Sequence, residues 1–271
     1  MCALKTFSST LTATINKKGV LDIDTVKGCT MGISKYSNGC YNLCYANKLA
    51  KTYGFDFSKS IDREIIESKQ LPLFKEKYLK PLVPQMKHIQ NVVKKHTLSW
   101  FRIGTMGDPC HNWMLTVKIC EWLGEFRIPV IVTKHWLTIP DEYLDRLARL
   151  KVIINTSISP LDSDDEREYR LNQFNRIKAS NIKSVLRIVS IKPGRTKLGK
   201  RLLDIQNELF KNKPIIDNPL RIQPSDNRVK NGDILTGKYY DLNAMKYISV
   251  ANKDVYLGIC SECPDQCGVN L

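Results

Sequence analysis

The sequence has no apolar run long enough to cross a bilayer. Its longest dense apolar stretch, Ile128 to Thr133, falls far short of the roughly 20 residues that a membrane helix needs. The first residues also lack the charged start and long apolar region of a secretory signal. The sequence therefore predicts a cytoplasmic protein with no membrane partner.

Acidic residues are scarce relative to basic ones, with 27 Asp and Glu against 42 Lys and Arg and a formal net charge of +15. Such an excess favours a polyanionic partner, because each neutralised phosphate releases counterions. The basic residues are spread along the chain, which indicates a basic face on a folded domain. A lysine-rich solvated surface would explain the same composition, so the charge alone leaves the partner open.

Cysteine, by contrast, is abundant. Disulfides are disfavoured in the cytoplasm, so clustered cysteines there indicate metal binding. The nine cysteines form a first group, a second group and three isolated residues: Cys29, Cys40 and Cys44; Cys260, Cys263 and Cys267; Cys2, Cys110 and Cys120. Cys120 lies in an amphipathic stretch, where a small core residue is the preferred interpretation.

Short apolar or β-branched runs alternate with amphipathic stretches along most of the chain. Six runs predict strands: Val20–Ile23, Trp100–Gly104, Pro129–Thr133, Val152–Ser157, Ser184–Val189 and Leu220–Gln223. Four stretches between them predict helices: Trp113–Phe126, Asp141–Leu150, Asp165–Ser180 and Leu198–Lys211. The alternation predicts an α/β fold with a six-stranded parallel sheet over residues 1–250, a helical insertion at about 58–96 and a cysteine-rich tail at 251–271. Active sites of such folds lie at the carboxyl ends of the strands.

The first cysteine group directly follows a predicted strand. Three thiolates at this position can hold three corners of a four-iron cluster and leave the fourth iron open to an external molecule. A structural zinc site needs four closed ligands, and no fourth cysteine or histidine lies nearby in the sequence. Three buried structural cysteines are the alternative.

The segment from Cys29 through Cys40 to Cys44, followed by Tyr-Ala, resembles the cysteine motif of the radical S-adenosylmethionine (SAM) superfamily. The resemblance implies that residues 1–250 form a partial (β/α)6 parallel barrel, a relative of the TIM barrel. The usual spacing is Cys-x3-Cys-x2-Cys, whereas this chain has Cys-x10-Cys-x3-Cys, a stretched form of the kind seen in phage-type relatives. The resemblance implies that the three cysteines bind a [4Fe–4S] cluster. Its open iron would chelate the amino and carboxylate groups of SAM.

The same resemblance implies SAM contacts at other strand ends. Leu43 is expected against the adenine, and a Gly-rich turn is expected to receive the SAM amino group, since backbone carbonyls approach an ammonium where no side chain intrudes. The residues of that turn are Gly104, Thr105, Met106, Gly107 and Asp108. A plain strand-to-helix turn is the alternative reading of that segment.

Two later strand ends extend the resemblance. The Ser-Ile-Ser-Pro-Leu-Asp segment that begins at Ser157 is similar to one in the branch that includes spore photoproduct lyase-like enzymes. Ser157 and Ser159 would meet the SAM ribose, and Arg187 would pair with the SAM carboxylate. A helix cap at Ser159 and a surface position for Arg187 are the alternatives.

The second cysteine group predicts a metal site in the tail, because three free thiols within eight residues would otherwise be open to oxidation. A second iron–sulfur cluster fits, and so does a zinc knuckle that needs one more ligand. Cys110 is a candidate for that ligand, or for a hydrogen-atom donor near the substrate, as a cysteine is in spore photoproduct lyase-like enzymes. His111 could join the same site or be a polar loop histidine.

Together these features predict an enzyme that reductively cleaves SAM to a 5′-deoxyadenosyl radical, which abstracts hydrogen from a substrate. A reductase such as flavodoxin or ferredoxin would supply the electron. The charge and the resemblance favour a nucleic acid or nucleotide-derived substrate, as in DNA base modification or repair. Two alternatives stay open: radical SAM chemistry on a small molecule or peptide, and a non-catalytic, zinc-stabilised nucleic-acid-binding protein.

Overall fold

The computed structural model describes residues 10–31, 44–59, 61–62, 84–241 and 244–271. Its strands are, in chain order, β1 (Thr14–Ile15), β2 (Leu21–Asp22), β3 (Val26–Lys27), β4 (Ile61–Asp62), β5 (Trp100–Ile103), β6 (Ile128–Thr133), β7 (Ile153–Ile158), β8 (Lys183–Ile188), β9 (Lys192–Pro193), β10 (Ile215–Asp217), β11 (Leu220–Arg221), β12 (Ile234–Leu235), β13 (Gly237–Asp241) and β14 (Ala244–Ser249). Its helices are α1 (Tyr45–Thr52), α2 (Pro84–Lys95), α3 (Trp113–Leu123), α4 (Asp141–Ala148), α5 (Asp164–Ala179), α6 (Lys197–Lys211) and α7 (Asn227–Lys230). Short 3-10 helices cover Pro109–Asn112, Cys260–Glu262 and Gln266–Gly268.

Seven strands form the central sheet, in the order β1-β2-β5-β6-β7-β8-β10. β1 is antiparallel to β2, and every other neighbouring pair is parallel. The strand order never reverses, so right-handed crossovers place α3, α4, α5 and α6 on one face of the sheet. The predicted α/β class with a mostly parallel sheet is confirmed. Within the described residues no strand pairing joins β10 back to β1, so barrel closure is not seen in this part of the chain.

The four predicted helices are confirmed, each within three residues at either end. Their starts follow local chemistry: the Ser163 hydroxyl accepts from the Glu166 N–H, and the Glu166 carboxylate accepts from the Ser163 N–H, which is a capping box for α5. Most of the helical insertion expected at about 58–96 lies outside the described residues. No helix in the described ranges is long and apolar enough to cross a membrane.

The sixth predicted strand, Leu220–Gln223, contains β11, but the prediction that it belongs to the parallel sheet is wrong. The sixth parallel strand is β10, which pairs with β8, whereas β11 pairs antiparallel with β14 in a separate three-stranded sheet. The Asn218 and Leu220 N–H groups still donate to the Ile188 and Ser190 carbonyls (2.8 Å each). The chain therefore runs beside the end of β8 for a few residues before Leu220–Arg221 pairs with β14 in the smaller sheet.

The two faces of the central sheet carry different cores, because successive side chains of a strand point to opposite faces. Phe101 packs in the cluster on the face covered by the helices. Its neighbour Trp100 packs in the cluster on the opposite face, here called the inner face. The tail, residues 251–271, packs against this inner face through Cys260 and Cys267.

Candidate active site at the carboxyl ends of the strands

One pocket lies where the carboxyl ends of the parallel strands meet. Its lining comes from the segments that follow β3, β5, β6, β7, β8 and β10. Among the lining residues are eight that the sequence singled out: Cys29, Cys44, Gly104, Thr105, Gly107, Asp108, Ser157 and Ser159. Residues that are far apart in the sequence therefore share one cavity.

Cys29 is placed by backbone contacts on both sides. The Gly28 N–H donates to the Met106 carbonyl (2.8 Å), and the Cys29 N–H donates to the Phe57 carbonyl (2.9 Å). Gly28 has a φ of +82°, and a Cβ there would lie 1.8 Å from the Lys59 carbonyl oxygen, so only glycine fits. Cys29 is thus held against the Gly-rich turn.

The other residues of the first group are described only in part. Cys44 stands immediately before α1 and packs with Cys29 against one apolar cluster, which Met106 also contacts. Cys40 and Leu43 lie outside the described residues. The structure therefore brings two of the three expected cluster ligands to the same wall of the pocket.

The backbone N–H groups of the Gly-rich turn donate to a carboxylate that the sequence analysis did not predict as a site residue. Asp24, just after β2, accepts hydrogen bonds from the N–H groups of Gly104 (3.2 Å), Thr105 (2.6 Å) and Met106 (3.1 Å). In a trans peptide the carbonyl points away from the N–H, so the Gly104 and Thr105 carbonyls are directed away from Asp24. The position of Asp24, an acidic residue between a strand and the cysteine motif, is the sequence feature from which this role could have been predicted.

Asp108 lines the pocket, but its carboxylate already has partners. It accepts from the Thr133 hydroxyl (2.6 Å), the Cys110 N–H (3.1 Å) and the Lys134 N–H (2.7 Å). These bonds join the turn after β5 to the end of β6. Asp108 therefore fixes the shape of the pocket wall.

A buried charged network lies beside these residues, and the sequence did not predict it. The carboxylate of Asp162 pairs with Lys134 (3.1 Å) and Arg170 (2.5 Å) and accepts from the Ser159 N–H (2.7 Å). Burial alone would raise the pKa of Asp162, but the two cations and these hydrogen bonds outweigh it and hold the pKa below its ordinary value. The guanidinium of Arg170 also lies 4.9 Å from the ring centre of Trp136, a pocket residue.

The two serines differ in their surroundings. Ser159 donates its hydroxyl to the Val189 carbonyl (3.1 Å), which joins the ends of β7 and β8. The cap of α5 is Ser163, so the alternative reading of Ser159 as a helix cap is wrong. Ser157 lines the pocket from β7 itself.

Cys110 does not lie in the pocket. It is buried in the core on the helix-covered face, where burial and the neighbouring Asp108 carboxylate raise the pKa of its thiol. The tail cysteines pack against the opposite face of the sheet. The structure thus brings Cys110 neither to the pocket as a hydrogen-atom donor nor to the tail as a metal ligand; the isolated Cys120 is a core residue, as expected.

Arg187 lies between the pocket and the tail. One of its nitrogens is 3.9 Å from the Cys267 sulfur, and the other donates to Asn218 (3.1 Å), which lines the pocket. Arg187 is not itself a lining residue. Its expected pairing with a SAM carboxylate stays a prediction, and its observed partners are the tail and Asn218.

The tail cysteines influence one another without converging. Burial, with the charges of Cys267 and Cys263, raises the pKa of Cys260, while Arg102 and Lys18 act in the opposite direction. Among the described residues, no three His, Cys, Asp or Glu side chains are arranged to hold a metal ion. All three tail cysteines are described, so a metal there would require them to move together; the first group is described without Cys40.

Comparison with models of known protein families finds no match, and comparison with curated protein sequences finds none either.

Proposed function

We propose that this chain is a radical SAM enzyme whose iron–sulfur cluster is bound by Cys29, Cys40 and Cys44. One observation carries the proposal: a single pocket at the carboxyl ends of parallel strands is lined by eight residues expected to meet the cluster or SAM. These residues come from four separate segments of the sequence. Their convergence is what such a site requires and is not expected of unrelated structural cysteines.

The donor set suits the proposed cluster. Thiolates are the ligands that iron–sulfur clusters use, and three of them leave one iron for an external molecule. When bound, the cluster would supply the electron that cleaves SAM and so generates a radical able to abstract hydrogen. The electron would reach the site from a reductase such as flavodoxin or ferredoxin.

The residues of the pocket would bind and orient SAM. The Gly104 and Thr105 carbonyls, turned away from Asp24, would accept hydrogen bonds from the SAM ammonium. The hydroxyl of Ser157 would face the ribose, and the apolar wall formed by Phe57 and Trp136 would exclude water from the reacting atoms.

Formation of 5′-deoxyadenosine tests the proposal. Anaerobically reconstituted protein, given SAM and dithionite, is expected to release this product, detected by chromatography. Cys120→Ala is the matched control, because Cys120 is buried in α3 away from the pocket, and it should retain the reaction. Absence of product from protein that holds a full cluster, binds SAM and has been offered nucleic acid would contradict the proposal.

For the substrate we propose a nucleic acid or a nucleotide-derived molecule. The net charge of +15 supports this choice, because cationic surfaces bind phosphates through counterion release. Binding of a fluorescent DNA duplex should fall steeply with salt, with a slope of about −0.9 for each phosphate neutralised. Binding that does not change with salt would instead favour a small-molecule or peptide substrate.

The rival proposal is a zinc-stabilised nucleic-acid-binding protein without catalysis. Metal analysis separates the two, since the enzyme should contain iron and sulfide whereas the binding protein should contain zinc. A second cluster or a zinc ion at the tail cysteines is a further proposal, which the same analysis tests in variants that lack the first group.

A further inference from the structure

The thiol of Cys29 faces a histidine from a distant part of the chain. The Nε2 atom of His111 lies 3.8 Å from the Cys29 sulfur, across a separation of 82 residues. Cys29 is buried and His111 is half-buried. From the sequence, His111 was expected either to join the metal site of the tail or to be a polar loop residue, so its contact with Cys29 was not predicted.

The contact rests on a fixed scaffold. His111 belongs to the 3-10 helix Pro109–Asn112, whose start is capped by the Asp108 carboxylate. On the other side, Thr25 and Thr116 share a hydrogen bond of 2.9 Å, which ties the chain just before β3 to α3. The 3-10 helix that carries His111 is therefore fixed by its cap, and Cys29 is fixed by the backbone hydrogen bonds of Gly28 and Cys29 to Met106 and Phe57.

An imidazole in this position can donate a hydrogen bond to a ligand sulfur. Such a bond withdraws charge from the metal–thiolate unit and favours its reduced, more negative state, so it raises the reduction potential. We infer that His111 donates Nε2–H to the Cys29 sulfur and thereby sets the reduction potential of the cluster. This makes His111 a positioning residue, and the inference rests on the proposed function.

A direct metal bond is the competing explanation for the same geometry. Two donors on one tetrahedral zinc, at about 2.3 Å for sulfur and about 2.0 Å for nitrogen, lie roughly 3.5 Å apart. His111 as a fourth ligand would, however, close the coordination that SAM needs. The proposed function therefore favours the hydrogen bond, and the experiment below distinguishes the two.

The test compares the cluster potentials of four proteins by redox titration monitored with electron paramagnetic resonance. His111→Phe removes both ring nitrogens and should lower the potential by at least a tenfold shift of the reduction equilibrium, which is 59 mV for one electron. His111→Gln keeps an N–H donor at a similar reach and should restore most of the wild-type potential. His88→Phe changes an exposed histidine on α2 and should leave the potential unchanged.

Three results would overturn the inference. An unchanged potential in fully loaded His111→Phe would refute it while leaving the proposed function intact. Loss of the cluster in both His111 variants, with normal loading of His88→Phe, would make His111 a ligand or a structural support. Wild-type protein that binds one zinc ion and no iron, with zinc lost in His111→Phe, would refute the proposed function as well.

Discussion

The two cysteine groups each place three cysteines in one short segment, residues 29–44 and residues 260–267, but their surroundings differ. Cys29 and Cys44 line a pocket with a backbone turn, hydroxyls and an aromatic ring. Cys260 and Cys267 instead pack against the apolar inner face of the sheet, and none of the described lining residues of the pocket comes from the tail. The described members of the first group, Cys29 and Cys44, therefore face space that a ligand can occupy, whereas Cys260 and Cys267 face the core of the protein itself.

This difference shows what cysteine spacing alone leaves undecided. Both spacings indicate metal binding, yet only the surroundings separate a reactive site from a structural one. Near the first group, polar groups converge on an open cavity, as in ligand-binding pockets generally. Near the second group, Arg187 contacts Cys267, and burial together with the charges of Cys267 and Cys263 raises the pKa of Cys260 despite Arg102 and Lys18, which favours the neutral thiol of Cys260.

The largest expected effect follows from removing one thiol from each group. Cys44→Ala should reduce 5′-deoxyadenosine formation to the background of the assay, because the cluster would lose a ligand. Cys267→Ala should keep the reaction, since the tail does not line the pocket. The measurement is product formed per bound cluster in each reconstituted variant. An equal loss of 5′-deoxyadenosine formation in both variants would show that the two cysteine groups do not differ in function.

A smaller effect is expected from the glycines that flank the two groups. A Cβ on Gly28 would lie 1.8 Å from a backbone oxygen, whereas a Cβ on Gly268 would lie 2.9 Å from a methyl group of Val185. Side-chain motion can relieve only the second clash. Gly28→Ala should therefore cost about 3 kcal/mol or more of unfolding free energy, and Gly268→Ala about 1–2 kcal/mol.

Urea unfolding followed by circular dichroism measures both changes. Gly54→Ala serves as a control for the backbone term alone, since Gly54 also has a positive φ but no atom lies within 4 Å of an added Cβ. A cost for Gly28→Ala no greater than that of Gly54→Ala would show that the segment around Cys29 can move freely.

The sequence was sufficient to predict the strands and helices with a hydrophobic period, and the residues that lie at the carboxyl ends of the strands. Five of the six predicted parallel strands and all four crossover helices lie where expected, because hydrophobic periodicity reports burial directly. Ser157 could be placed near Gly104 for a related reason: the carboxyl ends of all parallel strands in one sheet lie at the same edge, and only β6 separates β5 from β7.

Contacts between distant segments could not be read in this way. Asp24 reaches the Gly104 turn, and His111 reaches Cys29, across about 80 residues of intervening chain, and no local pattern encodes either pairing. The docking of the tail on the inner face and the ion pair of Asp162 with Lys134, 28 residues away, depend likewise on how the elements pack. Short sequence motifs could indicate which residues are chemically reactive, but they could not indicate which distant residues contact and position them.

The most gradual expected effect is the pH dependence of stability, and it again separates the pocket from the tail. His135 is fully buried, and its chain neighbours Lys134 and Trp136 line the pocket. Burial lowers the pKa of His135 from 6.5 to about 4. Between these values the unfolded chain binds a proton that the folded protein does not. The contribution of neutral His135 to the free energy of unfolding is therefore fully present above pH 6.5. It is lost as the pH falls through this window, by up to about 1.4 kcal/mol per pH unit.

His135→Asn tests this assignment, because asparagine tolerates the positive φ of 52° at this position. The variant should be less stable at pH 7, since the bond from His135 to Thr156 is lost, but its stability should fall less steeply between pH 6.5 and 5. His96, whose pKa burial also lowers, remains in the variant, and the tail contains no histidine. Parallel curves for wild type and variant, from urea unfolding at each pH, would mean that the acid response arises elsewhere than beside the pocket.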